Sequence, residues 1–293
     1  MDIPSDYRAP WVTRHRHLGS DLAVRTYPSR GPSQGIILAI HGFRGDHHGL
    51  DLLVRNLPGY TVIVPDLPGF GDSTAYPDAR HDAATQAGVI ETVRAELGIP
   101  ASAVLLGHSF GSIVASRYLA EHPGRFASLV LINPICEPAL EGSQAVFSRV
   151  AAGYYAAGRM LPERLGLAVL RNRLIVDVMS AAMGTSGDPR TQAYVVDQHR
   201  RYFSRFATRA SLQEAFASSI TDTVRDVAAE VEEPTLLIVG ALDDLGSIEG
   251  QYSLAARFPQ ARVEVIAGVG HLIHYARPRT AARMITGFLP GKN

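Results

Sequence analysis

Three residue types able to cooperate in nucleophilic catalysis occur in a telling order along this chain. Gly107-His108-Ser109-Phe110-Gly111 has the G-x-S-x-G spacing of a serine thrust out at a sharp strand-to-helix bend, with small neighbours where the chain must pass itself. A hydroxyl becomes a useful nucleophile only when a base takes its proton, and an imidazole serves best when a carboxylate holds its tautomer. Both partners follow the serine. Gly240-Ala241-Leu242-Asp243-Asp244 leaves one apolar run, and Gly268-Val269-Gly270-His271 leaves the next. Asp243, three residues past Gly240, is the expected carboxylate. Asp244 beside it is the competing acid, and Glu137 is a more distant third. His271 is the expected base.

A tetrahedral oxyanion needs amide donors as well. Phe110 opens a helical run, so its N–H is free at a helix N-terminus. The second donor is expected from Phe43 in His41-Gly42-Phe43-Arg44-Gly45, where Gly42 lets the backbone approach closely. Arg44 itself reads as solvated or paired with an acid. His41, His108 and His274 read as hydrogen-bonded structural residues. His47 and His48 diverge if helical and no third ligand follows at metal spacing, so no metal site is expected. The turn-rich loop Asp66-Leu67-Pro68-Gly69-Phe70-Gly71-Asp72-Ser73 reads as a pocket wall without chemistry.

Short apolar runs alternate with helical periods, the mark of a parallel sheet between helices. Buried strands are expected at 36–40, 62–64, 104–106, 129–132, 236–239 and 263–266. An antiparallel hairpin of 11–17 and 22–27, turning at Gly19-Ser20-Asp21, should lie at the sheet edge. Helices are expected at 49–56, 81–97, 110–121, 248–258 and 279–288. Between about 134 and 233 the alternation stops, leaving only helical patterns at 144–160, 164–183, 190–206 and 212–231. A helical block between two core strands reads as an inserted cap over the strands' C-terminal edge.

Composition narrows the function. Of 293 residues, 28 are basic and 28 acidic, a balance that argues against a nucleic-acid partner. Lys292 is the only lysine, so Schiff-base chemistry and a lysine P-loop are excluded. One cysteine, Cys136, permits no internal disulfide or cysteine-rich metal site and fits a reducing cytoplasm. The N-terminal residues lack the apolar run of a signal peptide. The longest stretch without a charged residue, 97–116, contains Pro100, Gly107 and Gly111 and fails as a membrane helix. A soluble cytoplasmic protein with no membrane partner is expected.

Together, His41-Gly42-Phe43, the 66–73 loop, Gly107 to Gly111, Asp243 and Gly270-His271 resemble the α/β-hydrolase superfamily over nearly the whole chain. The resemblance implies a mostly parallel eight-stranded sheet flanked by helices, with a helical cap inserted after the sixth strand. Residues 1–134 and 233–293 would form the core and 135–232 the cap. It also implies a Ser109–His271–Asp243 triad, oxyanion donors at Phe43 and Phe110, and no cofactor or metal. Ser112 departs from the glycine many relatives carry. The serine at 109 argues against the dehalogenase and epoxide-hydrolase branches, which use aspartate, and Ile113 stands where menaquinone-precursor enzymes tend to have arginine.

The expected reaction is hydrolysis of a small carboxylic ester, with an apolar acyl or aryl part, through an acyl-enzyme. Phe147, Tyr154, Tyr155, Leu165, Met179, Met183, Tyr194, Tyr202, Phe203 and Phe206 suggest an apolar or aromatic-lined pocket, although at helical spacing most of them should pack the cap onto the core. Arg200, Arg201, Arg205 and Arg209 read as the solvated face of one helix. A thioesterase, a carbon–carbon bond hydrolase or a weakly catalytic receptor would use the same residues. The oligomeric state is not legible.

Overall fold

Continuous apolar runs become strands buried on both faces. The computed structural model describes residues 8–138, 145–183 and 188–289, and for 145–150, 175, 179 and 181–183 it describes backbone only. Eight strands form one sheet: β1 (Trp11–His17), β2 (Ser20–Tyr27), β3 (Gly35–Ile40), β4 (Tyr60–Pro65), β5 (Val104–His108), β6 (Ser128–Ile132), β7 (Thr235–Gly240) and β8 (Ala261–Ile266). Their spatial order is β1-β2-β4-β3-β5-β6-β7-β8. β1 pairs antiparallel with β2, and β2 antiparallel with β4; all other neighbours are parallel. The mostly parallel eight-stranded sheet is therefore as expected.

Period two divides the central strands β3, β5, β6 and β7 between two cores. Leu38, Ile40, Leu105, Leu129, Leu131, Leu237 and Val239 pack on one face with α2 (Ala83–Glu96) and α3 (Phe110–Glu121). Their neighbours Ile37, Ala39, Leu106, Val130, Ile132, Leu236 and Ile238 pack on the other, with α1 (Asp51–Arg55), α10 (Ile273–Ala276) and α11 (Pro278–Phe288). Both faces are apolar, so the strands show no polar alternation. α9 (Ile248–Ala255) joins the first face through Leu254. No helix among the described residues is long and apolar enough to cross a membrane.

Strand order decides where a site forms. The chain crosses from β3 outward to β4, then back over to β5 on the other side of β3. Where order reverses, the loops leaving β3 and β5 part and open a crevice at the strands' C-terminal ends. Ile40 pairs with Gly107, so the two strands end level and bring Gly42 beside Ser109.

Between β6 and β7 the described chain is helical: α4 (Ala145–Met160), α5 (Glu163–Leu170), α6 (Arg173–Met183), α7 (Pro189–Tyr202) and α8 (Arg209–Thr221). This matches a helical insertion after the sixth strand, with changed boundaries. The expected helix 164–183 is two helices, broken at Asn172, whose side chain caps the N–H of Leu174. The expected helix 212–231 begins earlier, at a capping box of Thr208 and Ser211, and ends at Thr221 before two short 3₁₀ turns. The edge hairpin also turns one residue earlier than expected. Leu18 and Gly19, with φ of 46° and 81°, make a two-residue loop between paired His17 and Ser20.

Candidate active site

Ser109 sits between β5 and α3 with φ 53° and ψ −121°, a conformation rare outside glycine. Neighbours of that bend have no room for side chains. A Cβ on Gly107 would lie 2.4 Å from the Gly111 carbonyl oxygen, and one on Gly111 would lie 2.3 Å from that of Ile40. Ser112, in the place of a more usual glycine, donates its hydroxyl to the Ser109 carbonyl and accepts the N–H of Ile135. That serine braces the bend.

The loops after β7 and β8 are zipped together. Ala241 and Leu242 donate their amides to Ile266 and Val269, and Gly240 lies so close that a Cβ would meet the Gly270 oxygen at 2.4 Å. From this paired edge His271 Nε2 lies 2.8 Å from Ser109 Oγ, and His271 Nδ1 lies 3.0 Å from both oxygens of Asp243. The Asp243 side chain is almost wholly buried and also accepts the Leu245 amide. Asp244 is exposed and makes no hydrogen bond among the described residues; burial, then the Asp243 charge, raises its pKa. Glu137 is engaged elsewhere, accepting the Ser247 hydroxyl.

A family model described as alpha/beta hydrolase fold matches residues 35–278. The chain belongs to the α/β hydrolase fold family. Among curated relatives it is similar to Lipase 3 of Moraxella sp. (strain TA144), 26% identical over 243 residues, or 80% of this chain and 71% of that one. Among solved structures it is similar to a thermophilic esterase from Thermogutta terrifontis, at a TM-score of 0.74 and 23% identity, covering 97% of this chain and 98% of that one. A bromoperoxidase from Bacillus anthracis is similar at a TM-score of 0.75 and 16% identity, over 96% and 99% of the two chains. At such identities the solved structures speak for the fold alone.

In this α/β hydrolase the loop after β3, which carries Phe43, and the start of α3 at Phe110 both border the serine. A Cβ on Gly42 would stand 3.2 Å from the Ser109 Cβ, so the loop after β3 runs directly against the bend. Phe110 is the first residue of α3, where an N–H has no intrahelical acceptor. Both phenylalanines line a cavity of about 150 Å³ together with Ser109, His271, Ile135, Tyr155, Phe216 and Ile220.

Tyr155, Tyr202 and Phe203 of the expected pocket residues reach this cavity; Leu165 is instead 58% exposed. Phe147, Met179 and Met183 fall outside the described side chains. The loop 66–73, expected as a pocket wall, contributes no residue to the cavity. It instead holds the helical segment to the sheet. Gly71 donates to the Arg205 carbonyl, Ala207 donates to that of Gly69, and Arg205 pairs with Asp72 and Asp46. The four arginines thus do not share a helix. Arg200 and Arg201 pair on the surface with Asp177 and Asp197, Arg205 lies beyond α7, and Arg209 begins α8.

Arg44 differs most from expectation. It is 2% exposed and has no acid partner among the described residues. Its guanidinium donates to the Phe203 carbonyl at 3.0 Å, the Leu170 carbonyl at 2.9 Å and the Tyr155 hydroxyl at 3.1 Å. Phe203 and Leu170 close the C-terminal ends of α7 and α5, where carbonyls carry partial negative charge. Two helix ends replace a carboxylate. Arg44→Met should leave two buried acceptors and one half-buried acceptor without donors and lower stability by about 2–4 kcal/mol in chemical denaturation.

Histidines close to the site follow suit. His41 donates Nδ1–H to the Gly42 carbonyl and accepts the Leu67 amide at Nε2, as a structural residue should. His108 is buried, which pushes its pKa down to about 3, and the His271 charge adds to that effect. His47 and His48 do not diverge; their rings lie 3.8 Å apart, and with Asp46 they bring donor atoms within 4.8 Å. Those groups are held by protein. His47 Nδ1 bonds to Asp66, His48 Nδ1 to Asp46, and Arg205 also reaches Asp46.

Asp66 is the buried centre of that network. Burial alone would raise its pKa, but the hydrogen bond and charge of His47, then Arg25, hold it far below the usual carboxylate range. A depressed folded-state pKa stabilises the protein fully above about pH 4 and loses that stabilisation as pH falls through the folded value. Asp66→Asn should therefore lower stability at pH 7 and flatten its further decline below pH 4, read from denaturation midpoints across that range.

Asn133, to which the sequence assigned no part, ties the site's loops together. It follows β6 with φ 44°, accepts the Gly240 amide, and donates Nδ2–H to the carbonyls of Gly270 and His271. One side chain ties both loops that carry Asp243 and His271. Its only local signal is an asparagine at a strand end, a residue that tolerates left-handed backbone.

Proposed function

We propose that this chain is a cofactor-independent serine hydrolase cleaving a small carboxylic ester, with an apolar acyl or aryl part, through an acyl-enzyme. The observation that carries the reading is the unbroken path Ser109 Oγ–His271 Nε2, at 2.8 Å, and His271 Nδ1–Asp243, at 3.0 Å. Ser109 attacks the carbonyl carbon while His271 takes its proton. Asp243 holds the imidazole tautomer and stabilises the imidazolium. The amides of Phe43 and Phe110 receive the oxyanion, a contribution of about 3 kcal/mol per donor in related chemistry. His271 then protonates the leaving alcohol, and water attacks the acyl-enzyme by the same relay.

Nucleophile, base and oxyanion donors are all groups of the chain, so the chemistry closes without an added cofactor. The lipase named among its relatives favours an ester, and Phe43, Phe110, Ile135 and Phe216 give the cavity an apolar wall that suits an acyl or aryl group. Residues 135–232 act in this reading as a cap on a core of 1–134 and 233–293. The test is steady-state turnover of matched ester, thioester and β-diketone substrates, beside labelling of Ser109 by a fluorophosphonate. Ester turnover with labelling is the expected result. Preference for another bond reassigns the substrate, and failure to label Ser109 defeats the mechanism.

A further inference from the structure

The cavity is also lined where α7 and α10 pack against each other. His199 of α7 and Tyr275 of α10 both line it, both are buried, and their rings lie 5.9 Å apart. The tautomer of His199 follows from counting protons. Ser180 Oγ lies 2.6 Å from the Val176 carbonyl, which can only accept, so the single hydroxyl proton goes there. The same oxygen lies 2.7 Å from His199 Nδ1 and must therefore accept from it. Nδ1 carries the hydrogen, and Nε2 presents a lone pair.

Burial, followed by the Arg44 charge, pushes the His199 pKa down to about 3, so Nε2 stays an acceptor at neutral pH. Nε2 has no partner among the described residues, and neither has the Tyr275 hydroxyl. Unlike Nδ1 of His274, which is unpartnered and sealed, these two atoms are not sealed. The cavity is the space that both residues line. An acceptor that cannot donate and a phenol that can do either form a complementary pair for one group that donates and accepts through the same atom. A hydroxyl is such a group, donating to Nε2 and accepting from the phenol.

We infer that His199 and Tyr275 form a hydroxyl-recognising subsite, and that the substrate is an ester bearing a free alcohol or phenol. The inference rests on the cavity being the substrate site, as proposed above. A buried acceptor left unpaired by an unhydroxylated ligand is what gives such a site its discrimination. Phenylalanine at 199 keeps the flat ring stacked 4.0 Å from Phe203 and leaves Ser180 its bond to Val176, so the variant His199→Phe removes the acceptor with little disturbance.

Binding tests the subsite without any turnover. 2-Phenylethanol and its methyl ether are titrated into the unmodified protein, followed by NMR. The alcohol should bind about tenfold more tightly than the ether, the effect of one buried hydrogen bond. His199→Phe should bring the two to equal affinity, and Tyr275→Phe should weaken both ligands, because the ether oxygen can still accept from the phenol. Equal binding of alcohol and ether by the unmodified protein would overturn the inference, as would a preference that survives His199→Phe. With hydroxylated and plain esters of one length, the same ratio should appear in kcat/KM. If no ester turns over while the alcohol preference stands, the hydrolase reading fails and the subsite remains.

Discussion

Ser109→Ala should lower ester turnover by at least ~10³-fold without unfolding the protein. The size of the loss follows from what remains. Oxyanion donors and the cavity still bind and polarise the carbonyl, but water must replace a nucleophile already 2.8 Å from its base. His271→Ala on top should add little, because the two residues act as one unit. Stability should hold or rise. Alanine takes the same positive φ at no greater cost than serine, and an active-site polar group is removed. Turnover, with a thermal midpoint measured on the same sample, checks both statements. Activity within tenfold of the parent would refute the assignment.

Asp243→Asn should cost about 10³–10⁴-fold in kcat, whereas Asp244→Asn should stay within a few-fold of the parent. An asparagine of the same shape keeps its oxygen on the Leu245 amide and turns an N–H toward His271 Nδ1. The imidazole then favours hydrogen on Nε2, facing the serine, and cannot take the serine's proton. Asp244 is exposed and its loss leaves the relay whole. The two variants, assayed side by side on one ester, decide between neighbouring carboxylates. If Asp244→Asn carries the large loss, the roles are exchanged.

Much of the site was readable because its parts obey local rules. A serine at a strained bend demands small flanking residues, and those are visible as Gly107 and Gly111. An acid and an imidazole must leave consecutive parallel strands, so their order along the chain carries information. The helix break at Asn172 was also within reach, since a mid-pattern asparagine is a cap signal. Arg44 was not. A buried arginine ordinarily implies an acid, and here its partners are carbonyls at the ends of α5 and α7, more than a hundred residues away. Helix dipoles have no residue letter, so local reasoning sees only an arginine beside a glycine.

What the order of residues determined alone is a mostly parallel sheet with its central strands buried on both faces, a sharp serine bend after its fifth strand, and an aspartate and a histidine in that order behind it. Period-two and period-3.6 patterns act over a few residues, and steric limits at a bend act over five. Tertiary structure alone decided which histidines are locked, what Arg44 holds, and that the loop 66–73 anchors the helical segment. It also set the His199 and Tyr275 rings edge to face, 5.9 Å apart, in the cavity wall. Those outcomes depend on contacts between segments far apart in the chain, where one hydroxyl proton or one carbonyl direction selects the tautomer and the partner.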